Sequence, residues 1–212
     1  VDNHPQLRLL TSERVNDVVY YIYENTTALP VAFRANKELR EYFSNYFNPI
    51  PSQNRLFQAM TGDTRELLES VQVTLSDLNS EDVRISDKTA FTFYAQEKNS
   101  IANFQVNIPK AGNYYIYVDC RAAKGIEVNF GPVSQSITPH EPYFVDAIGL
   151  KAGDVVNINI RADNTCSGNV YVVRLNEQVF EDIITTLRVD GLQVTRFTDD
   201  TITGTINASR EG

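Results

Sequence analysis

The stretch Gly112-Asn-Tyr-Tyr-Ile-Tyr-Val-Asp-Cys-Arg121 decides how the rest of the chain is read. With a period of two, Tyr114, Ile116, Val118 and Cys120 share one face; Tyr115, Tyr117, Asp119 and Arg121 share the other. One apolar side and one aromatic-polar side describe a half-buried antiparallel strand, since a strand buried on both faces would be apolar on both. Pro109-Lys-Ala-Gly112 is a sound turn leading into it.

The alternation recurs on either side. Val71, Val73 and Leu75 alternate with polar residues, as do Phe91 and Phe93 with Thr92 and Tyr94. Phe104, Val106 and Ile108 alternate with Asn103, Gln105 and Asn107; Ile126, Val128 and Phe130 with Glu127 and Asn129. Val156, Ile158 and Ile160 alternate with Asn157, Asn159 and Arg161, after the turn Lys151-Ala-Gly-Asp154, and Tyr171, Val173 and Leu175 form a last set. About seven short strands separated by Gly, Pro and Asn turns predict a β-sandwich.

The first 65 residues read differently. Val1–Glu13 is a polar arm expected to be only partly ordered. Asp17–Glu24 is strongly strand-forming, Asn25–Pro30 turns the chain, and Val31–Ala35 reads as a short second strand. Lys37–Phe47 places Leu39, Phe43 and Phe47 on one helical side, and Asn48-Pro-Ile-Pro51 ends it. Ser52 caps a helix to Met60 closed by Gly62, and Asp63 to Glu66 has capping-box spacing for a further turn to Leu68. Beyond the sandwich strands, Glu177–Leu187 is helical, Arg188–Val194 is a hairpin about Asp190-Gly191, and Thr201–Asn207 is a last strand. The expectation is a mainly β, α+β chain: an N-terminal strand–helix cap over 1–65 and an antiparallel sandwich over 66–212, in one compact unit.

Composition narrows the function classes. The chain has 212 residues and a formal charge of −8, with 11 Tyr, 11 Phe, one Met and no Trp, a bias that suits strands. No basic patch is visible, so no nucleic-acid partner is expected, and an acidic surface is repelled by anionic lipid headgroups. No run approaches the roughly 18 apolar residues of a membrane span. The abrupt start at Val1 and the strand-like ending lead us to expect an excised piece of a longer protein. Cys120 and Cys166 leave a disulfide and free thiols both open, and with His4 and His140 they lack zinc spacing. Loop oxygens such as Asp63, Asp87 and Asp163 lack EF-hand spacing, so no metal or cofactor is expected. Asp199-Asp200 and Glu81-Asp82 are adjacent pairs whose side chains diverge, and His140 has no Gly-x-Ser-x-Gly partner. No catalytic residue is expected in this segment.

Tyr20-Tyr-Ile-Tyr-Glu-Asn-Thr-Thr-Ala-Leu-Pro-Val-Ala-Phe33, followed by Asn48-Pro-Ile-Pro-Ser-Gln-Asn-Arg-Leu-Phe-Gln-Ala-Met-Thr-Gly62, resembles the YfhO family of bacterial membrane proteins. Phe197-Thr-Asp-Asp-Thr-Ile-Thr-Gly-Thr-Ile206 resembles the strand pair leading toward that family's C-terminal end. The resemblance implies a polytopic protein of Gram-positive bacteria, similar to multi-span glycosyltransferases with lipid-phosphate sugar donors and associated with adding sugars to teichoic acids. This chain would be its soluble extracytoplasmic C-terminal portion, on the outer face of the cell membrane. Catalytic acids of that class lie in loops between N-terminal membrane spans, so none is carried over here.

Ala90–Leu175 also resembles carbohydrate-binding modules of the galactose-binding-like, jelly-roll type, through Ala111–Asp119, Ile126-Glu-Val-Asn129 and Leu150–Ile160. Sugars bind through aromatic faces with amide and carboxylate hydrogen bonds. Tyr115, Tyr117, Asp119 and Arg121, with Tyr94, Asn157 and Asn159 on strands that could neighbour them, supply those groups and form the candidate carbohydrate site. The same tyrosines also suit a pleated surface or packing beneath the N-terminal helices. Three functions follow: a non-catalytic domain that positions a glycan or teichoic-acid polymer for a membrane glycosyltransferase-like protein, a stand-alone carbohydrate-binding module, and a ligand-free structural or assembly domain. The sequence fixes no oligomeric state.

Overall fold

The computed structural model describes residues 6–43, 48–72, 74–78, 81–139, 144–189 and 191–206. The strands begin with β1 (Leu7–Val15), β2 (Val18–Asn25), β3 (Leu68–Ser70), β4 (Leu75–Asp77) and β5 (Val83–Ile85). Then come β6 (Ala90–Phe93), β7 (Ser100–Asn107), β8 (Gly112–Asp119), β9 (Gly125–Phe130) and β10 (Val133–Ile137). The last five are β11 (Val145–Leu150), β12 (Val155–Ala162), β13 (Cys166–Leu175), β14 (Gln193–Phe197) and β15 (Ile202–Thr205). The helices are α1 (Pro49–Thr61) and α2 (Glu177–Val189).

The chain divides into two compact units, and the division falls inside both helices. The larger unit, residues 43–58 and 64–179, is an antiparallel β-sandwich. One sheet has five strands in the order β10-β9-β12-β7-β4; the other has six, in the order β11-β8-β13-β6-β5 with β3 beside β13. Inward residues of both sheets form a single core that includes Phe104, Val128 and Ile158 from one and Phe91, Ile116 and Val172 from the other. The Phe91 and Phe104 rings meet across it at 4.8 Å. Each such side chain contributes about 1.5–3 kcal/mol by leaving water.

The alternation read from β8 holds: Tyr114, Ile116, Val118 and Cys120 are buried. The Tyr114 hydroxyl donates to the Lys110 carbonyl at 2.8 Å, which satisfies its polar tip inside the core. Gly153 (φ +88°) and the Lys151 N–H donating to Asp154 Oδ2 at 2.7 Å build the expected turn before β12. In β13 the expected inward set is reversed. Val170 and Val172 join the core, while Tyr171, Val173 and Leu175 lie on the outer face, where Val173 and Leu175 are buried a second time. A strand covered on both sides loses the alternation that reports its orientation.

α1 begins at Pro49, not Ser52. Asn48 Oδ1 accepts the Ile50 N–H at 3.1 Å, and Pro49 and Pro51 occupy the first turn, where no amide donor is needed. Gly62, at φ +75°, follows the helix as expected. The further turn expected through Leu68 does not form: Leu68 enters β3, and Gln58 Nε2 donates to the carbonyls of Thr64 and Arg65 instead. α2 matches its expected span, with Val179, Ile183, Ile184 and Leu187 buried and Asn176 Oδ1 accepting the Val179 N–H.

The smaller unit, residues 1–42, 59–63 and 180–212, holds two hairpins. The arm expected to be partly ordered instead supplies β1, which pairs with β2 from Leu7↔Asn25 to Val15↔Val18. Asn16 and Asp17 take φ of +48° and +63° at the two-residue turn, a conformation these residue types tolerate. Val31–Ala35 contributes only the isolated bridge Phe33↔Gly191. Lys37–Glu41 is a short 3₁₀ turn, and Ser44–Phe47 of the expected helix lie outside the described residues, as do Val73 and Asp190. The terminal hairpin joins β14 to β15 through Thr198–Thr201, not through Asp190-Gly191.

Candidate functional site

Residues alternating with the core point away from it, so each sheet presents one outer face. On the six-stranded sheet that face carries Tyr115, Tyr117 and Asp119 from β8 and Tyr171 from β13, with Tyr117 paired to Tyr171. Their two rings stack at 5.9 Å and 17°. Phe144, just before β11, meets Tyr117 at 6.0 Å and Tyr115 at 6.3 Å, the latter edge-on at 82°. The four rings form one patch, with Asp146 opposite Tyr115 in the ladder. Tyr117, at its centre, is 5% exposed, whereas Tyr115 and Tyr171 are half-buried. Arg121 Nε stands 3.9 Å from Asp119 Oδ1 at the patch edge.

All three phenols are held neutral past the usual tyrosine range. Burial is the main cause for each, reinforced by the Asp146 charge at Tyr115 and the Asp119 charge at Tyr117 and Tyr171. The patch therefore combines ring faces, neutral hydroxyl donors and carboxylate acceptors.

The structure brings Tyr115, Tyr117, Asp119 and Arg121 together. Tyr94 comes just after β6 of that sheet and stands beyond the Cys166 end of β13, since its neighbour Phe93, the last residue of β6, pairs with Cys166. Its N–H donates to the Asp82 carbonyl at 2.7 Å. Asn157 and Asn159 do not join them. They lie on β12 of the five-stranded sheet and point outward on the opposite surface of the sandwich. Sequence reasoning missed Tyr171 and Phe144. Tyr171 was hidden by the reversed reading of β13, and Phe144 stands just before a strand that was not foreseen.

On the five-stranded sheet, register aligns the outward side chains in rows. Ser136, Glu127, Asn159 and Asn103 face one another across four strands, beside a second row of Ser134, Asn129, Asn157 and Gln105. Gln105 Nε2 donates to Asn157 Oδ1 at 2.9 Å, and Asn159 Nδ2 donates to Glu127 Oε2 at 3.2 Å. Ser134 Oγ donates to Glu127 Oε1 at 2.8 Å. These bonds hold the Glu127 carboxyl below its ordinary range, Ser134 first and Asn159 next, with Arg161 adding a smaller electrostatic pull. A depression of about 280 Å³ opens over the first row. The signal was legible in three polar alternations, Asn103 to Asn107, Glu127 to Asn129 and Asn157 to Arg161.

Among the described residues there is no helix long and apolar enough to cross a membrane, and no cluster of three or more His, Cys, Asp and Glu side chains able to hold a metal. His140 and Glu141 lie outside those residues.

The fold and its two surfaces define an antiparallel sandwich domain with an aromatic face and an amide-rich face. The chain belongs to the YfhO family of bacterial membrane proteins, which it matches over residues 5–212. Among curated proteins none matches. Among solved structures, TmCBM61 in complex with β-1,4-galactotriose is similar at 13% identity and a TM-score of 0.29, over 50% of this chain and 90% of that one. A family two carbohydrate esterase from Cellvibrio japonicus is similar at 12% identity and 0.31, over 49% of this chain and 34% of that one. The carbohydrate-binding module CBM6cm-2 from Cellvibrio mixtus lichenase 5A, in complex with cellotriose, gives 12% and 0.25 over 51% and 91%. At such values the description of the sandwich rests on its own strand register.

Proposed function

We propose that this chain is a non-catalytic extracytoplasmic domain of a polytopic, glycosyltransferase-like membrane protein, where it positions a glycan or teichoic-acid polymer acceptor. Family membership supports the membrane parent. The observation that carries the binding role is the patch of Tyr115, Tyr117, Tyr171 and Phe144 beside Asp119 and Asp146. Half-exposed rings offer faces to the C–H side of a sugar, while neutral phenols and carboxylates meet its hydroxyls. Arg121, at the edge, is suited to an anionic substituent. Tyr94 would extend the site only for a ligand long enough to follow β13 to its first residues.

The test is calorimetric titration with teichoic-acid fragments. Binding by the wild type, weakened at least ten-fold by Tyr115→Ala and by Tyr171→Ala, supports the reading. Absence of binding to every fragment removes the acceptor-positioning role.

A second reading, a ligand-free structural or assembly domain, draws on the burial of Tyr117. A ring packed between Phe144 and Tyr171 is accounted for by stability alone. A stand-alone carbohydrate-binding module differs from the first reading only in lacking the membrane parent, and the reading frame around this segment separates the two.

A further inference from the structure

The outer face of the five-stranded sheet is a different chemical surface. The depression over it is lined by Asn103, Glu127, Ser136, Asn159 and Arg161, with Ile101 beside them. Among the described residues, neither the Asn103 amide nor the Arg161 guanidinium has a hydrogen-bond partner, and Asn159 Oδ1 is left over by the bond its Nδ2 makes to Glu127. Amides donate and accept, a carboxylate accepts and a guanidinium donates, which matches a ligand whose hydroxyls do both. About 280 Å³ lies near the lower limit of small-molecule sites, the size of one sugar ring. Among the described residues no aromatic side chain lines it; Ile101, 45% exposed, is the apolar surface at its edge. Glu127 and Arg161 balance each other in charge, so the depression attracts neither a polyanion nor a polycation.

We infer that this face is a second, separate binding surface for an uncharged, hydroxyl-rich oligosaccharide, one ring of which sits in the depression between Glu127, Asn159 and Asn103 and is held by hydrogen bonds without aromatic stacking. The rows run across the strands, which lie about 4.8 Å apart, so a linear chain laid along Ser136–Glu127–Asn159–Asn103 meets a new polar group at each strand. Glu127 is already fixed as a carboxylate by Ser134 and Asn159, so its acceptors are oriented before a ligand arrives. The inference does not depend on the tyrosine patch, which lies on the other side of the sandwich.

The experiment is calorimetric and NMR titration of the whole chain with cellotriose, maltotriose, galactotriose and chitotriose at low and high salt. The expected result is binding of at least one trisaccharide that changes less than two-fold with salt, falls at least ten-fold in both Asn159→Ala and Arg161→Ala, and shifts the NMR signals of Asn103 and Asn159. Arg161 is exposed, so its variant keeps the result interpretable if Asn159→Ala misfolds, which circular dichroism reports. Loss of trisaccharide binding in Tyr115→Ala with retention in Arg161→Ala overturns the second surface and leaves the tyrosine site standing. Affinity that collapses at high salt overturns the uncharged class. No binding of any trisaccharide overturns the inference outright, while teichoic-acid fragments acting at Tyr115 would still support the proposed function.

Discussion

Asn54 of α1 and Leu68 of β3 are joined by two buried hydrogen bonds. The Asn54 Nδ2 donates to the Leu68 carbonyl at 2.9 Å, and its Oδ1 accepts the Leu68 N–H at 2.8 Å. One side chain thereby satisfies both backbone groups of a residue where β3 begins. Replacing it with Leu leaves both unpaired in a buried place, and the expected loss is about 2–4 kcal/mol. Urea unfolding measures this; a loss of less than about 0.5 kcal/mol, the range of ordinary surface changes, would show that the pair does not hold β3 in place.

Gly168 on β13 marks a second constraint. A β-carbon there would run into the Asp119 carbonyl oxygen and lie 2.9 Å from both the Cys120 β-carbon and the Phe91 ring. Gly168→Ala is expected to cost about 2–3 kcal/mol through overpacking. Thermal unfolding checks it, and an unchanged midpoint would mean that β13 and β8 can separate without penalty.

Cys120 and Cys166 are both buried free thiols, and a hydrogen bond between them, together with burial, pushes the Cys120 thiol well up. Neither should react with iodoacetamide at pH 8 while the chain is folded, and both should react in guanidinium. Mass spectrometry of the adducts reads this directly; native labelling as fast as that of an exposed thiol would contradict the packing.

Acid should weaken the fold through two carboxyls. Asp163 is held low mainly by the Asn99 N–H and then by Lys124, and Glu127 by Ser134 and Asn159. A depressed folded value contributes stability above the ordinary carboxylate range of about 4, lost as pH falls through the folded value. Melting temperature plotted against pH should fall more gently in acid for Asp163→Asn than for the wild type, and parallel curves would assign the loss to other groups.

Alkali acts at the opposite end. Tyr115, Tyr117 and Tyr171 prefer the neutral form in the fold, so stability should decline as pH rises past about 10. In a spectrophotometric titration these phenols should ionise above the usual tyrosine range, and Tyr171→Phe should remove one of them. An early, uniform titration would show the patch open to water.

The local pattern of the sandwich was legible because β8 alternates cleanly: Tyr114 and Ile116 had to be inside and Tyr115 and Tyr117 outside. What alternation cannot tell is which sheet a strand joins. Asn157 beside Ile158 and Tyr117 beside Val118 obey the same period, yet β12 pairs with β7 and β9 while β8 pairs with β11 and β13. The mixed candidate site of tyrosines and asparagines came from that gap. β1 was missed for another reason: Leu7–Val15 is exposed almost throughout, so no buried face imposes a period on it. At α1 the two prolines read as a stop because their backbone restriction serves a helix entry equally well.

The sandwich ends sideways in short strands, β10 and β4 of five and three residues on one sheet, β11 and β5 of six and three on the other. Such stubs give a foreign chain little to zip onto. The hairpin Leu7–Asn25 is the contrary case: strands of nine and eight residues, with Leu9, Leu10, Tyr20, Tyr21 and Ile22 exposed. Among the described residues, fibre growth or strand exchange between copies finds its longest template there, and crowding would test that hairpin before the sandwich felt any strain.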